Sequence, residues 1–217
     1  MTKILTEHEA KKLLAKYGIP VTEERIAGSS DEAFDIAMEL GMPVAMKISS
    51  PEIPHKSDVG GVVLNVKEDE IKTTYSEILS RVKKAVPGAS IEGILVQQMA
   101  PAGHETIVGL KKDAQFGHAL MFGLGGIFVE VYRDVSFRVV PINKSDALSM
   151  ISEIKGYPIL KGIRGKMPAD IDAIARVLVS VSDMAEKENI IELDINPLIV
   201  NESGAIAVDA RAMVEGV

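Results

Sequence analysis

The sequence predicts an α+β fold in two lobes, and three observations carry that expectation. Helical and strand patterns follow neither a strict βαβ alternation nor an all-β order. A Pro87-Gly88 break, followed by a run of strand patterns, marks a seam near Pro87–Gly93. At 217 residues the chain can bury a sizeable core without disulfide or zinc staples. The expected lobes are residues 19–92 and 93–217, with a helix over 6–17 packing separately.

Thr6 with Glu9 reads as a capping box opening a helix through Tyr17, with Gly18 as its stop. Val21–Ala27 is strand-like, and Ser29 with Glu32 repeats the capping pattern before a helix ending near Gly41. Pro43–Ile48 and Gly60–Val66 are strands on either side of a polar loop. Ile71, Tyr75, Ile78, Leu79 and Val82 fall at helical spacing within Glu68–Val86. Strand patterns follow at Gly93–Gln98, Glu105–Leu110, His118–Phe122, Phe128–Tyr132 and Phe137–Pro141. Helices return at Ser145–Ile154 and Ala169–Glu188, and the strands Ile190–Val200 and Ala205–Asp209 close the chain.

Composition removes several function classes. Without cysteine there is no thiolate chemistry, no Cys-ligated zinc and no iron–sulfur cluster. The 24 basic and 31 acidic residues give a net charge of −7 with no long basic run, which argues against nucleic acid as the primary partner. No apolar run approaches the ~20 residues of a membrane span. The first residues also lack a signal-peptide h-region, so a soluble cytoplasmic protein is expected.

Several segments can carry chemistry. Lys47 interrupts the apolar run Val-Ala-Met-Lys-Ile; it is either a strand-end lysine reaching water or a phosphate contact at a cleft mouth. His55 sits in Pro-His-Lys-Ser-Asp-Val-Gly-Gly, either as an ordinary surface histidine or as a nucleophile toward phosphorus with a cation beside it. Phe122–Glu130 holds three glycines in four residues, either a plain strand connection or a backbone that approaches an anion; it lacks the Gly-Lys-Ser/Thr of a P-loop.

The run Glu192-Leu193-Asp194-Ile195-Asn196-Pro197 is the most informative. Alternation puts Glu192, Asp194 and Asn196 on one face, and Pro197 ends the pattern. A tight turn at Glu202–Ser203 sets Asn196 opposite Asp209, which lies inside an apolar strand. Carboxylate and amide oxygens without His or Cys suit Mg2+ that keeps waters and bridges to phosphates; the competing reading is a solvated hairpin face. Gln97 and Gln98 at the lobe junction are candidates for a base, and Glu105 for a ribose or for ordering the cleft. Arg133, Arg138 and Arg164 are read as surface ion pairs or phosphate contacts, and His8, His104 and His118 as structural.

In order along nearly the whole chain, Met-Pro-Val-Ala-Met-Lys-Ile, His-Lys-Ser-Asp-Val-Gly-Gly, Gly-His-Glu, Phe-Gly-Leu-Gly-Gly-Ile-Phe-Val-Glu, Asp-Ile-Asn-Pro-Leu and Val-Asp-Ala-Arg form a specific combination. It resembles the ATP-grasp superfamily. Within it, the combination is similar to the nucleotide-binding β subunits of ADP-forming acetate–CoA ligases, the NDP-forming acyl-CoA synthetases related to succinyl-CoA synthetase. The resemblance implies an ATP-grasp fold over 1–217 with the nucleotide between two α+β lobes. It implies that Lys47 binds phosphate, Gln98 meets the adenine, Glu105 belongs to the nucleotide site, and Asn196 and Asp209 hold Mg2+. Asp194 takes the acidic position beside a phosphorylated histidine, where the succinate enzymes carry Glu, and His55 is the second histidine of a phosphoryl relay to ADP. The implied partner is a CoA-binding α subunit carrying the other phosphohistidine, in a heteromer with two copies of each subunit. The competing expectations are a carboxylate–amine ligase that forms an acyl phosphate directly and a non-catalytic nucleotide-binding regulatory module.

Overall fold

The computed structural model describes residues 2–53, 55–126, 133–163 and 167–216. In chain order the elements open with β1 (Thr2–Leu5), α1 (Glu7–Lys16), β2 (Glu24–Ala27), α2 (Ser30–Leu40), β3 (Val44–Ser49) and β4 (Val62–Val66). Then come α3 (Ile71–Ala85), β5 (Gly93–Gln98), β6 (His104–Asp113), β7 (Gly117–Leu124) and β8 (Val135–Val139). The chain continues with α4 (Lys144–Glu153), α5 (Tyr157–Leu160), α6 (Ile171–Lys187), β9 (Ile190–Asn201), β10 (Gly204–Ala207) and β11 (Ala210–Glu215). The strand expected at Phe128–Tyr132 lies outside the described residues.

Two units result, one of Thr22–Ala100 and one of Met1–Val21 with Pro101–Val217. The division differs from the expected limits for two physical reasons. β5 hydrogen-bonds to β2 and β3, so it closes the smaller sheet instead of opening the next unit. The N-terminal helix does not pack separately. A ten-residue helix is marginal alone, and α1 buries Ala10 and Leu14 in the core of the larger unit, while β1 pairs antiparallel with β11. The expected capping box is present: the Thr6 N–H donates to Glu9 Oε2 at 2.9 Å, and the Glu9 N–H donates to Thr6 Oγ1 at 3.4 Å.

The smaller unit has four strands among the described residues, in the order β2-β5-β3-β4. Helices α2 and α3 cover one face, where Ile36, Ile71, Ile78 and Val82 meet Val44, Met46, Ile48, Ile94 and Val96. In the larger unit the described strands follow the order β1-β11-β9-β6-β7-β8, with β10 alongside β9. Ile174, Leu178 and Val181 of α6 and Met150 and Ile151 of α4 pack with Leu193, Ile195, Leu198 and Val200 of β9. Burying each of these aliphatic side chains contributes roughly 1.5–3 kcal/mol, which is why alternate β9 residues are held inward. The residues between them, Glu192, Asp194 and Asn196, are left on the open face.

Candidate functional site

The centre of the candidate site is a break in the sheet. β10 pairs with β9 from Gly204↔Asn201 to Ala207↔Leu198, and β11 resumes at Ala210↔Ile195 in the same register. Between them the Asn196 N–H donates to the Asp209 carbonyl at 3.1 Å, and the Val208 N–H donates to the Pro197 carbonyl at 3.0 Å. The hairpin therefore sets Asn196 opposite Asp209 as its turn residues predict. The strand expected at Ile190–Val200 runs through Pro197 to Asn201. One expectation is corrected: Asp209 lies not inside a strand but in the gap between β10 and β11. Pro197 has no N–H to give a neighbouring strand, and the β6–β9 ladder slips by one residue there, between Thr106 and Val108. Asn196 and Asp209 lie at this interruption, between the β9–β10 and β9–β11 ladders.

Three acidic groups share this stretch. Asp194 is partly buried, and its carboxyl is pushed above the ordinary carboxylate range, first by burial, then by the charges of Asp209 and Glu192; Arg211 opposes the shift. An excess of negative charge around two hard oxygen donors is the setting a small divalent cation relieves. Among the described residues no group of three or more His, Cys, Asp and Glu forms a closed cage. Two protein ligands, one carboxylate and one amide, match a Mg2+ whose remaining positions are filled by water and phosphate oxygens. The residues present fit that ion.

Toward the far end of β9 the open face sinks into a recess of about 430 Å³, lined by Glu192, Asp194, Gly109, Met121, Phe137 and Arg211 among others. Gly109 is the β6 neighbour of Asp194, and Arg211 its β11 neighbour. Met121, the β7 neighbour of Gly109, covers the glycine: a Cβ there would stand 3.1 Å from Met121 Cε.

Glu105 stands one strand over, on β6, opposite Ile199. Its carbonyl accepts from the Gly125 N–H at 2.7 Å, and its carboxylate lies 3.5 Å from where a Cβ on Gly126 would stand. Gly126 takes φ +61, and a Cβ on Gly125 would come within 3.0 Å of the Glu105 Cβ, so both glycines are required by this contact. The rest of the glycine-rich stretch, 127–130, lies outside the described residues. Thr106 Oγ1 donates to the Leu198 carbonyl at 2.8 Å and fastens β6 to β9 beside the slip.

The smaller unit carries the other expected residues. Lys47, 4% exposed, is on the face of β3 opposite to the helix-packed Met46 and Ile48, beside Leu95 and Val62. Neither a lysine reaching freely into water nor an edge position fits it: β3 lies between β5 and β4. His55 is exposed and precedes a 3-10 turn over Lys56–Val59 that ends on Gly60 at φ +66. The base of this loop is tied to β3: the Gly61 N–H donates to the Lys56 carbonyl and the Ile48 N–H to the Gly61 carbonyl, both at 2.8 Å. A Cβ on Gly61 would fall 2.7 Å from Ile48 Cγ2 and 2.9 Å from the Lys56 oxygen. Of the two glutamines, Gln97 is buried with its Nε2 donating to Thr22 Oγ1 at 2.8 Å, while Gln98 at the strand end is exposed.

The structure thus gathers Asp194, Asn196 and Asp209 in the larger unit, with Glu105 on the adjoining strand. It sets Lys47, His55 and Gln98 in the smaller one. Among the remaining candidates, Arg138 pairs with Glu153 at 2.8 Å. His104 and His118 each bond a backbone carbonyl, of Met167 at 2.8 Å and of Ile190 at 2.7 Å. Arg133 is exposed, and Arg164 lies outside the described residues. Sequence reasoning passed over Arg211 as a site residue, although alternation from Asp209 was enough to put it on the same face.

Comparison with known proteins gives the family. An ATP-grasp domain model matches residues 1–214. The chain is 51% identical to the β subunit of the ADP-forming acetate–CoA ligase I of Pyrococcus furiosus, over 97% of this chain and 91% of that one. It superposes with a TM-score of 0.95 and 52% identity on an acetyl-coenzyme A synthetase 1 chain of Ca. Korarchaeum cryptofilum solved with coenzyme A and Ca-AMPCP, covering 98% of this chain and 94% of that one. The same enzyme with coenzyme A and Mg-AMPPCP, its phosphohistidine segment pointing towards the nucleotide binding site, gives a TM-score of 0.86 and 46% identity over 98% and 93% of the two chains. This chain belongs to the ATP-grasp family, within its ADP-forming acetate–CoA ligase β subunits.

Proposed function

We propose that this chain is the nucleotide-binding subunit of an ADP-forming acyl-CoA ligase of the acetate–CoA type, passing a phosphoryl group between a phosphohistidine and ADP with Mg2+. The observation that carries the reading is the Asn196–Asp209 pairing beside Asp194, two hard donors and a third carboxylate at one break in the sheet. In this reading Asn196 and Asp209 hold the metal, Lys47 neutralises phosphate charge, Gln98 meets the adenine and Glu105 orders the nucleotide site. Asp194 accepts from the imidazole N–H of the incoming histidine and keeps its other nitrogen directed at phosphorus. Bound Mg2+ supplies charge neutralisation and alignment of the phosphates.

His55 serves as the relay. In each transfer the P–N bond of one phosphohistidine breaks and its electron pair stays on the imidazole nitrogen as the lone pair of a neutral ring, whose other nitrogen keeps its proton. The phosphorus gains a bond to the next acceptor, first the imidazole nitrogen of His55 and finally a β-phosphate oxygen of ADP. In-line transfer requires donor and acceptor within contact distance, and an exposed histidine on a loop meets that need. The partner is a CoA-binding subunit carrying the first phosphohistidine, in a heteromer with two copies of each chain. No described helix is long and apolar enough to cross a membrane, and the proposed place of work is the cytoplasm.

The test uses the complex reconstituted with the CoA-binding subunit and γ-32P-labelled ATP. The wild-type complex is expected to take up acid-labile, alkali-stable phosphate. His55→Ala is expected to abolish ligase turnover while leaving Mg·ATP binding to this chain within about twofold. Full turnover in that variant would remove the relay, and an unlabelled wild-type complex would point to direct acyl-phosphate formation or to a regulatory module.

A further inference from the structure

We propose that Arg211 binds the phosphoryl group carried on a histidine imidazole at the moment it stands beside Asp194, making the acidic centre and its cation a single phosphoryl-receiving site. The inference rests on the phosphoryl-transfer reading above and assigns a residue that reading leaves without a role.

Arg211 is the direct cross-strand neighbour of Asp194 in the β9–β11 ladder, so the two side chains leave the sheet on the same face. Both line the recess of about 430 Å³. The flanking Ala210 and Ala212 are buried in the core, which holds the Arg211 backbone in place while its side chain remains exposed. Four other described arginines are paired, Arg25 with Glu39, Arg81 with Glu77, Arg138 with Glu153 and Arg176 with Asp170, and Arg133 is exposed away from this recess's lining. Among the described residues Arg211 has no such hydrogen bond or ion pair; its one interaction is the through-space charge effect on Asp194. Its guanidinium donors are available to a ligand in the recess.

The chemistry requires a cation at this place. A phosphoryl dianion approaching Asp194 also meets Glu192 and Asp209, three like charges that repel it. A metal held by Asn196 and Asp209 offsets the charge on one side only. Arg211 lies directly across from Asp194, two residues along from the Asn196–Asp209 pair, and a planar fork of N–H donors matches two phosphoryl oxygens at once. Gly109 and Met121 line the recess across β9 from Arg211.

The experiment compares wild type, Arg211→Gln and Arg211→Lys in the reconstituted complex. Three quantities are read: the rate of acid-labile 32P uptake from labelled ATP, the kcat and KM for ADP, and the calorimetric affinity of this chain for Mg·ATP. The proposal predicts a loss on the order of a hundredfold in label uptake and kcat for Arg211→Gln. It predicts a smaller loss for Arg211→Lys, which keeps the charge but not the fork, and Mg·ATP affinity within about threefold in both. Wild-type labelling in Arg211→Gln overturns it, as does an equal fall in Mg·ATP affinity, which would make Arg211 a nucleotide ligand instead. A wild-type complex that takes up no label overturns this inference and the underlying reading together, whereas a labelled wild type with an indifferent Arg211 overturns the inference alone.

Discussion

The backbone N–H of Asn196 donates to the carbonyl of Asp209 across 3.1 Å, at the one place where β10 has ended and β11 has not begun. That bond holds two oxygen-bearing side chains side by side without either strand running regularly through them. Pro197 enforces the interruption by having no N–H to contribute, and the slip of β6 against β9 accommodates it. The proposed metal site lies at this interruption of the sheet.

Gly61 is the residue on which the presentation of His55 depends. A methyl group there would stand 2.7 Å from Ile48 Cγ2 and 2.9 Å from the Lys56 oxygen, and neither the β-branched core side chain nor a backbone carbonyl yields without moving the loop base. Gly61→Ala is expected to lower stability by about 1–3 kcal/mol. It should also reduce phosphoryl transfer through His55 more than it reduces Mg·ATP affinity. Urea unfolding together with 32P uptake by the complex checks both halves, and an unchanged unfolding midpoint would contradict the packing argument.

The ends of α1 and α6 are joined by a clasp that responds to pH at both extremes. Glu188 accepts from Lys16 Nζ at 2.5 Å and from the Tyr17 hydroxyl at 2.7 Å. The bond from Lys16, followed by that from Tyr17, holds the Glu188 carboxyl below its ordinary value. A carboxyl depressed in the folded state adds stability above its unfolded value, and that contribution disappears as pH falls through the folded one. The Tyr17 phenol is pushed up to about 12, first by burial and then by Glu188. A phenol raised in the folded state adds stability below its unfolded value near 10, lost as pH rises toward 12. Glu188→Gln should therefore melt below wild type at neutral pH, with the gap closing as pH falls below the usual carboxylate range. Melting curves whose separation stayed constant from pH 7 into acid would refute the assignment.

Local signals in the sequence were read where the physics is local. Thr6 with Glu9 announced α1, and Glu202–Ser203 set the hairpin register that brings Asn196 to Asp209. Ser29 was recognised as a cap, but Glu32 bonds the Gly28 N–H at 2.7 Å, one residue earlier than a reciprocal box requires; a choice between adjacent N–H groups leaves no mark on residue types. Pairings between distant segments were not legible. β1 has only four residues and exists through β11, more than two hundred positions away, so nothing local marks it as strand or assigns α1 to the larger unit. β11 itself was missed beyond Asp209 because the break at Val208–Asp209 resembles a strand end. Lys47 was recognised as anomalous in an apolar run, but its burial to 4% exposure depends on β3 being central, a fact of strand order alone.

The most direct test is calorimetric titration of Mg·ATP into wild type and into the Asn196→Ala/Asp209→Ala double variant. Both side chains lie outside the packed core, so the variant should fold with near-native stability, and binding should weaken by about tenfold or more, a loss of roughly 1.4 kcal/mol at least. The weakening should shrink when EDTA replaces Mg2+ and ATP alone is titrated. Identical Mg·ATP isotherms for a folded double variant and wild type would contradict the metal site at the break in the sheet.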